Sequence, residues 1–289
     1  MILSPVHYDE PLFRPPGEAY SAIVQATIGC SWNRCAFCEM YTSKRFQVRR
    51  FDKIDADIIA LARIYRGIRK VFIADGNAFV LTAGKLIPIL ESINKHFGRL
   101  QRISSYALPK DILSKTDDDL KLLRNFGLKL LYIGIETGDD ELLSLVNKGE
   151  TYQSTVEGIG RAHNAGIETS IMIISGLGGR QYSHQHAVNS ARIINEINPK
   201  YLSTLTLTMP FGIEHFRKRF NGNYQQQNLR ELLSELKTFI DNLNVENVIF
   251  RSDHVSNQLV LKGVLPKDKE LFLEMIEKAI VSINGKLHF

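Results

Sequence analysis

Apolar residues fall in short runs along this chain, and the runs alternate with segments whose apolar positions recur every three or four residues. The runs are "SAIVQATI" (21–28), "KVFIAD" (70–75), "LQRISSY" (100–106), "LKLLYIGIE" (128–136), "ETSIMIIS" (168–175) and "YLSTLTLT" (201–208). Each is of strand length and rich in β-branched or aromatic residues, so each reads as a strand. The segments between them read as helices at 55–65, 83–97, 116–127, 155–166 and 186–197. The helix at 116–127 carries its own punctuation, with Thr116 and three aspartates at its start and Gly127 at its stop.

Six strand–helix units at this spacing predict repeated βαβ crossovers and a parallel sheet. The fold class expected is α/β, a partial (β/α)6 barrel of TIM type with a mainly helical C-terminal extension. The extension, 211–289, carries helical patterns at about 228–243 and 266–283, with a strand-like "NVIFRSD" (247–253) between them. The domain organisation expected is an N-terminal extension over 1–19, a core over 20–210, and the extension packing on it. In parallel sheets of this kind chemistry gathers at the C-terminal ends of the strands.

Composition narrows the setting. The chain has 289 residues, 44% hydrophobic and 23% charged, an ordinary globular balance. No apolar run approaches the roughly 18 residues of a membrane span, and the N-terminus shows no secretory pattern. A cytoplasmic location with no membrane partner is expected. The net charge of +5 includes a basic cluster, "SKRFQVRRF" at 43–51. Arg45 or Arg49 could meet an anionic partner there, although a solvated face explains a charge this modest.

The cysteines change the picture most. The chain has three, Cys30, Cys35 and Cys38, spaced C-x4-C-x2-C in "GCSWNRCAFCEMY" (29–41), directly after the first predicted strand. An odd, clustered set argues against a disulfide framework and for a reducing compartment. Three small buried hydrophobes would not cluster so. Structural zinc would require a distant fourth ligand such as His7 or His96. A third reading is an iron–sulfur cluster: three thiolates can hold three irons of a [4Fe–4S] cube and leave the fourth iron open to bind something.

This loop resembles that of the radical S-adenosylmethionine (radical SAM) enzymes. Most members have C-x3-C-x2-C, and this chain has one more residue in the first gap. Phe37, just before the last cysteine, matches the family's usual aromatic. Further motifs fall in order over about 20–210. "ADGNAF" (74–79) stands where the family binds the methionine amino group, which implicates Asp75, Gly76 and Asn77. "GIETGDDELLSLVNKGET" (134–151) resembles the fourth-strand motif and implicates Glu136 and Thr137. "IISGLGG" (173–179) resembles the segment bordering the adenine and implicates Gly176 and Gly178. "ISSYALP" (103–109) takes the third-strand place. Porphyrin-oxidising relatives carry a carboxylate there, and this chain has Ser105 as a cofactor contact and Tyr106 as a catalytic candidate. The likeness is to compact iron–sulfur oxidoreductases related to the oxygen-independent coproporphyrinogen oxidases.

The resemblance implies a [4Fe–4S] cluster and S-adenosylmethionine as cofactors. It further implies reductive cleavage to a 5′-deoxyadenosyl radical, and hydrogen abstraction from an unassigned, small-molecule substrate. A reduced flavodoxin or ferredoxin-type donor would supply the electron. In the tail, "RSDHVSN" (251–257) packs an Arg, an Asp, a His and an Asn into seven residues. His254 is the catalytic candidate there, with a loop brace as the plainer reading. Two alternatives remain at this point. A non-enzymatic iron–sulfur or zinc protein explains the cysteines but not the glycine and acid motifs. A tRNA-modifying enzyme would use the basic loop, but no RNA-binding domain is apparent and nucleic acid is not expected as a partner.

Overall fold

The computed structural model describes residues 5–285, so residues 1–4 and 286–289 of the two predicted extensions lie outside the described residues. The chain divides into two compact units. The first comprises Met1–Asn33, Cys38–Ile133 and Glu157–Thr169, and the second Arg34–Phe37, Gly134–Val156 and Ser170–Phe289.

In the first unit the strand order is β1 (Ala22–Gln25), β4 (Lys70–Ala74), β5 (Arg102–Tyr106) and the Leu128–Ile133 part of β6 (Leu128–Glu136), all parallel. A separate antiparallel pair, β2 (Thr27–Ile28) with β3 (Gln47–Val48), brackets the cysteine loop in sequence. Val71, Phe72, Ile73 and Ala74 are all fully buried, as expected of a parallel strand covered on both faces. Helices α1 (Phe51–Ile64), α2 (Ala83–His96), α3 (Pro109–Leu113) and α4 (Asp117–Asn125) follow the strands. At α4 the predicted start is a capping box: Thr116 Oγ1 accepts from Asp119 N at 3.0 Å, and Asp119 Oδ2 accepts from Thr116 N at 3.1 Å. Gly127 follows at φ 92° and ends the turn.

The second unit holds α5 (Asp140–Leu145), and α6 (Tyr152–Asn164) begins in it. Its strand order is β7 (Glu168–Ser175), β8 (Tyr201–Thr206), β9 (Val248–Ser252), β10 (Leu261–Leu265). The pairs β7–β8 and β8–β9 are parallel and β9–β10 antiparallel. Helices α7 (Gly179–Ile197), α8 (Ile213–Arg219), α9 (Leu229–Asp241) and α10 (Lys269–Gly285) complete it.

The six predicted strands are all present, and 128–136 and 168–175 coincide with β6 and β7 residue for residue. The tail holds more sheet than its pattern suggested: the strand-like 247–253 is β9, and β10 was not anticipated. The helix expected at 186–197 starts seven residues earlier, at Gly179, because "GRQYSHQ" is too polar to show a period. No helix among the described residues is long and apolar enough to cross a membrane.

Candidate functional site

Because β1, β4 and β5 run parallel, the segments that follow them share one edge of the first unit. After β1 comes the start of the cysteine loop, and after β4 comes Asp75-Gly76-Asn77. The two are joined by side chain to backbone bonds on either side of Cys30. Asp75 Oδ2 accepts from Gly29 N at 3.0 Å, and Asn77 Oδ1 accepts from Ser31 N at 2.9 Å. Asn77 Nδ2 also donates to Ser31 Oγ at 2.8 Å and to Asp111 Oδ2 at 2.9 Å. Between them, Gly76 has to be glycine: a Cβ there would lie 2.8 Å from both Cα and Cβ of Cys30. The 75–77 segment is therefore the cradle of the loop's first cysteine.

Asp75 is fully buried, and so is its counter-ion. Lys44 Nζ, on a side chain 3% exposed, stands 2.9 Å from Asp75 Oδ2 and 3.2 Å from Asp9 Oδ1. Asp75 Oδ1 is buried and has no hydrogen-bond partner, and neither has the buried hydroxyl of Tyr41. Burial raises the Tyr41 phenol well above its usual pKa, and the Asp75 charge beside it raises it further. The Tyr41 phenol is the donor beside it, and a buried carboxylate oxygen without a well-formed hydrogen bond can accept a further one.

Ser105 and Tyr106 end β5. The Ser105 hydroxyl donates to Ile73 O at 3.0 Å, so it is engaged with the neighbouring strand. Tyr106 packs edge-on against Phe72 and Tyr132, with centroids 5.1 and 6.2 Å away. Burial raises its phenol, with smaller contributions from the charges of Asp75, Glu18 and Cys38. Trp32, the only tryptophan, lies under Lys110 Nζ at 3.7 Å from its ring centroid. None of the three cysteines is in a disulfide; Cys30 and Cys38 are partly exposed and Cys35 is buried.

In the second unit, Glu136 ends β6 in the left-handed region at φ 69°. Its Oε1 accepts from Lys148 Nζ at 2.8 Å, and both side chains are buried. Lys148 Nζ lies 5.6 Å from the ring centroid of Phe37, so the fourth-strand acid and the aromatic before the last cysteine share one cation. Thr137 Oγ1 pairs with His186 Nδ1 at 2.8 Å and accepts from Asp139 N at 3.1 Å. Gly176 takes φ 83° at the end of β7, and its peptide is held on both sides: Glu235 Oε1 accepts its N–H at 2.7 Å, and Tyr224 OH donates to its carbonyl at 2.9 Å. Gly178 is the N-cap of α7, and its side-chain-free face lets Tyr182 pack close.

β9 is parallel to β8, so 253–257 lies at the same edge of this unit as the ends of β7 and β8. His254 Nδ1 pairs locally with Ser256 Oγ at 2.8 Å. Asn257 donates to Thr204 O at 2.7 Å and Ser252 Oγ at 3.0 Å, and accepts from Thr206 Oγ1 at 3.0 Å. The segment thus ties down the end of β8.

Sequence reasoning singled out Asp75, Asn77 and Glu136 but missed the lysines beside them, Lys44 and Lys148, and missed Glu235. Lys148 stands within the quoted 134–151 motif, where a lysine in a turn reads as solvated. Lys44 stands in the basic cluster 43–51, which reads as a solvated face, yet it is buried against Asp75; nothing local marks Glu235, which meets its partners only through the tertiary fold.

The family model described as the radical SAM superfamily matches residues 24–191. The heme chaperone HemW of Bacillus subtilis (strain 168) is 25% identical over 126 residues, covering 43% of this chain and 33% of that protein. The chain spans about a third of the length of the curated relatives it matches. Among solved structures, the coproporphyrinogen III oxidase HemN from Escherichia coli, a radical SAM enzyme, superposes with a TM-score of 0.59. It is 20% identical, over 76% of this chain and 51% of that one. Methylornithine synthase (PylB) superposes at 0.53 and 14% identity, over 90% of this chain and 81% of that one. At such identities the likeness carries the fold: α/β, a mostly parallel sheet of the partial-barrel kind.

Proposed function

The chain belongs to the radical SAM superfamily, whose cofactors are a [4Fe–4S] cluster and S-adenosylmethionine, and from that premise we propose that Cys30, Cys35 and Cys38 are the cluster ligands of an enzyme acting on a small molecule. Bound together, cluster and cofactor supply a 5′-deoxyadenosyl radical for hydrogen abstraction from the substrate. The chain's own residues bind, orient and seclude. Asp75 and Asn77 fix the backbone on both sides of Cys30. Asp75 would receive the ammonium group of the cofactor, and Gly76 lets the loop approach. Glu136, oriented by Lys148, takes a polar group of the cofactor. The Gly176–Gly178 turn borders its adenine. Tyr106 and His254 are the candidates for contact with the substrate. Residues 20–210 form the catalytic core and 211–289 an extension of it. The electron comes from a reduced flavodoxin or ferredoxin-type protein in the cytoplasm.

The observation that carries this reading is the pair of bonds from Asp75 to Gly29 N and from Asn77 to Ser31 N. They hold the backbone on both sides of Cys30 at the end of the first strand, which is the kind of support a cofactor-binding loop needs. The test is anaerobic reconstitution with iron and sulfide, then incubation with dithionite and S-adenosylmethionine. Formation of 5′-deoxyadenosine that is lost in Cys30→Ala supports it. A cluster-loaded protein that forms none overturns it.

A further inference from the structure

Residues 34–37 of the cysteine loop belong to the second unit, and the groups that hold them there come largely from beyond β8. Arg219, the last residue of α8, donates from Nη2 to the carbonyl oxygen of Cys35 at 2.7 Å. The same helix contributes Phe216, followed by Phe220 and Tyr224, to a buried cluster that also contains Ala36, Leu142 and Val146, with Phe37 packed against it. Ala36 N donates to Val146 O at 2.8 Å. A neutral donor could also bond the Cys35 carbonyl, more weakly than a charged one.

The guanidinium adds a permanent positive charge, because arginine stays protonated at any physiological pH. It is bonded to the backbone carbonyl of Cys35 itself. Reducing an iron–sulfur cluster adds one electron and so one negative charge. A fixed cation beside it favours the reduced state and raises the potential. We propose that Arg219 is a positioning residue of the cluster site, fixing the Cys35 backbone and setting the potential at which the cluster accepts its electron. The inference rests on the reading above that Cys35 is a cluster ligand. The electron arrives from a reduced one-electron donor protein, and no bond on the chain forms or breaks. It follows that the segment after β8 serves the redox centre itself, and not only the substrate side.

The experiment compares wild type, Arg219→Gln and Arg219→Lys as full-length protein. Each is reconstituted anaerobically, analysed for iron and sulfide, and titrated electrochemically while the reduced cluster is followed by electron paramagnetic resonance. The expected result is equal loading, with the Arg219→Gln midpoint displaced to more negative potential and Arg219→Lys close to wild type. Arg219→Gln that loads fully and titrates at the wild-type potential overturns the proposal. If Arg219→Gln fails to load, Arg219→Lys decides: restored loading supports a cationic donor at Cys35, and failure equal to that of Gln contradicts it. Wild type that binds no cluster would overturn the functional reading instead, so the two failures are distinguishable.

Discussion

Lys148 Nζ stands 2.8 Å from Glu136 Oε1 with both side chains buried, 5% and 8% exposed. Two charges removed from water and joined at this distance depend on each other. Lys148→Met should cost about 3–5 kcal/mol of stability, the usual result of stranding a buried charge. It should also weaken S-adenosylmethionine binding, because Glu136 loses the group that aims it. Glu136→Gln should weaken that binding roughly 10- to 150-fold, the equivalent of one charge-assisted hydrogen bond. Equilibrium dialysis against the cluster-loaded variants checks both. Wild-type affinity in Glu136→Gln would remove Glu136 from the site.

Asn77→Ala removes the acceptor of Ser31 N and the donor to Asp111 Oδ2. A backbone N–H left without a partner costs about 1–3 kcal/mol. The cluster-free test of that cost is urea unfolding of the apoprotein. The functional expectation is lower iron retention per folded chain during gel filtration, since the loop beside Cys30 is no longer held. Full retention would show that Asp75 alone suffices to hold it.

Much of the fold was legible because parallel strands buried on both faces are written as unbroken apolar runs. That is why β6 could be read to the residue, and β7 shows instead an alternation of buried and half-buried positions, while α5 and α8, at six and seven residues, are too short to show a period. β10 was hidden by Gly263, whose missing side chain leaves room for Phe272 and Asp268. In the site, the cysteines were legible through spacing alone. Their supports were not. Arg219 reaches a carbonyl 184 residues earlier in the chain, and the Asp75–Lys44 pair joins residues 31 apart. Such pairings are decided by tertiary packing, and local sequence carries no trace of them.

His254 and Asn257 separate two roles within one loop. Asn257 makes three hydrogen bonds to the ends of β8 and β9, and His254 makes its side-chain bonds within the loop. Asn257→Ala should therefore lower stability by about 1–3 kcal/mol. His254→Ala should leave the melting temperature nearly unchanged and leave substrate-independent 5′-deoxyadenosine formation intact. Thermal melts beside that assay check the pair. A large melting loss in His254→Ala would make it a brace and remove it from the substrate side.

Lys115 gives the stability of the protein a pH dependence. Its ammonium donates to Phe79 O at 2.7 Å and Asp111 O at 2.9 Å, under the segment that carries Asn77. Burial, the largest influence, pulls it down to about 8 from 10.5, against the charges of Asp111 and Asp119, which pull it up. Between those values the unfolded chain binds more protons than the folded one, so stability rises with pH across the window. Below it the cost of burying the charge is fully present. Denaturant unfolding of the apoprotein at both ends of the window should show this rise, and Lys115→Met should lack it. An equal slope in the variant would assign the rise to other groups.

The central claim is that three thiolates hold a four-iron cluster with one iron left for S-adenosylmethionine. Electron paramagnetic resonance of the reduced, reconstituted protein, with and without S-adenosylmethionine, tests it most directly. The account predicts about four irons and four sulfides per chain and a reduced-cluster signal whose g-values move when S-adenosylmethionine is added. Stoichiometric zinc without sulfide, or a cluster signal indifferent to S-adenosylmethionine, would contradict it.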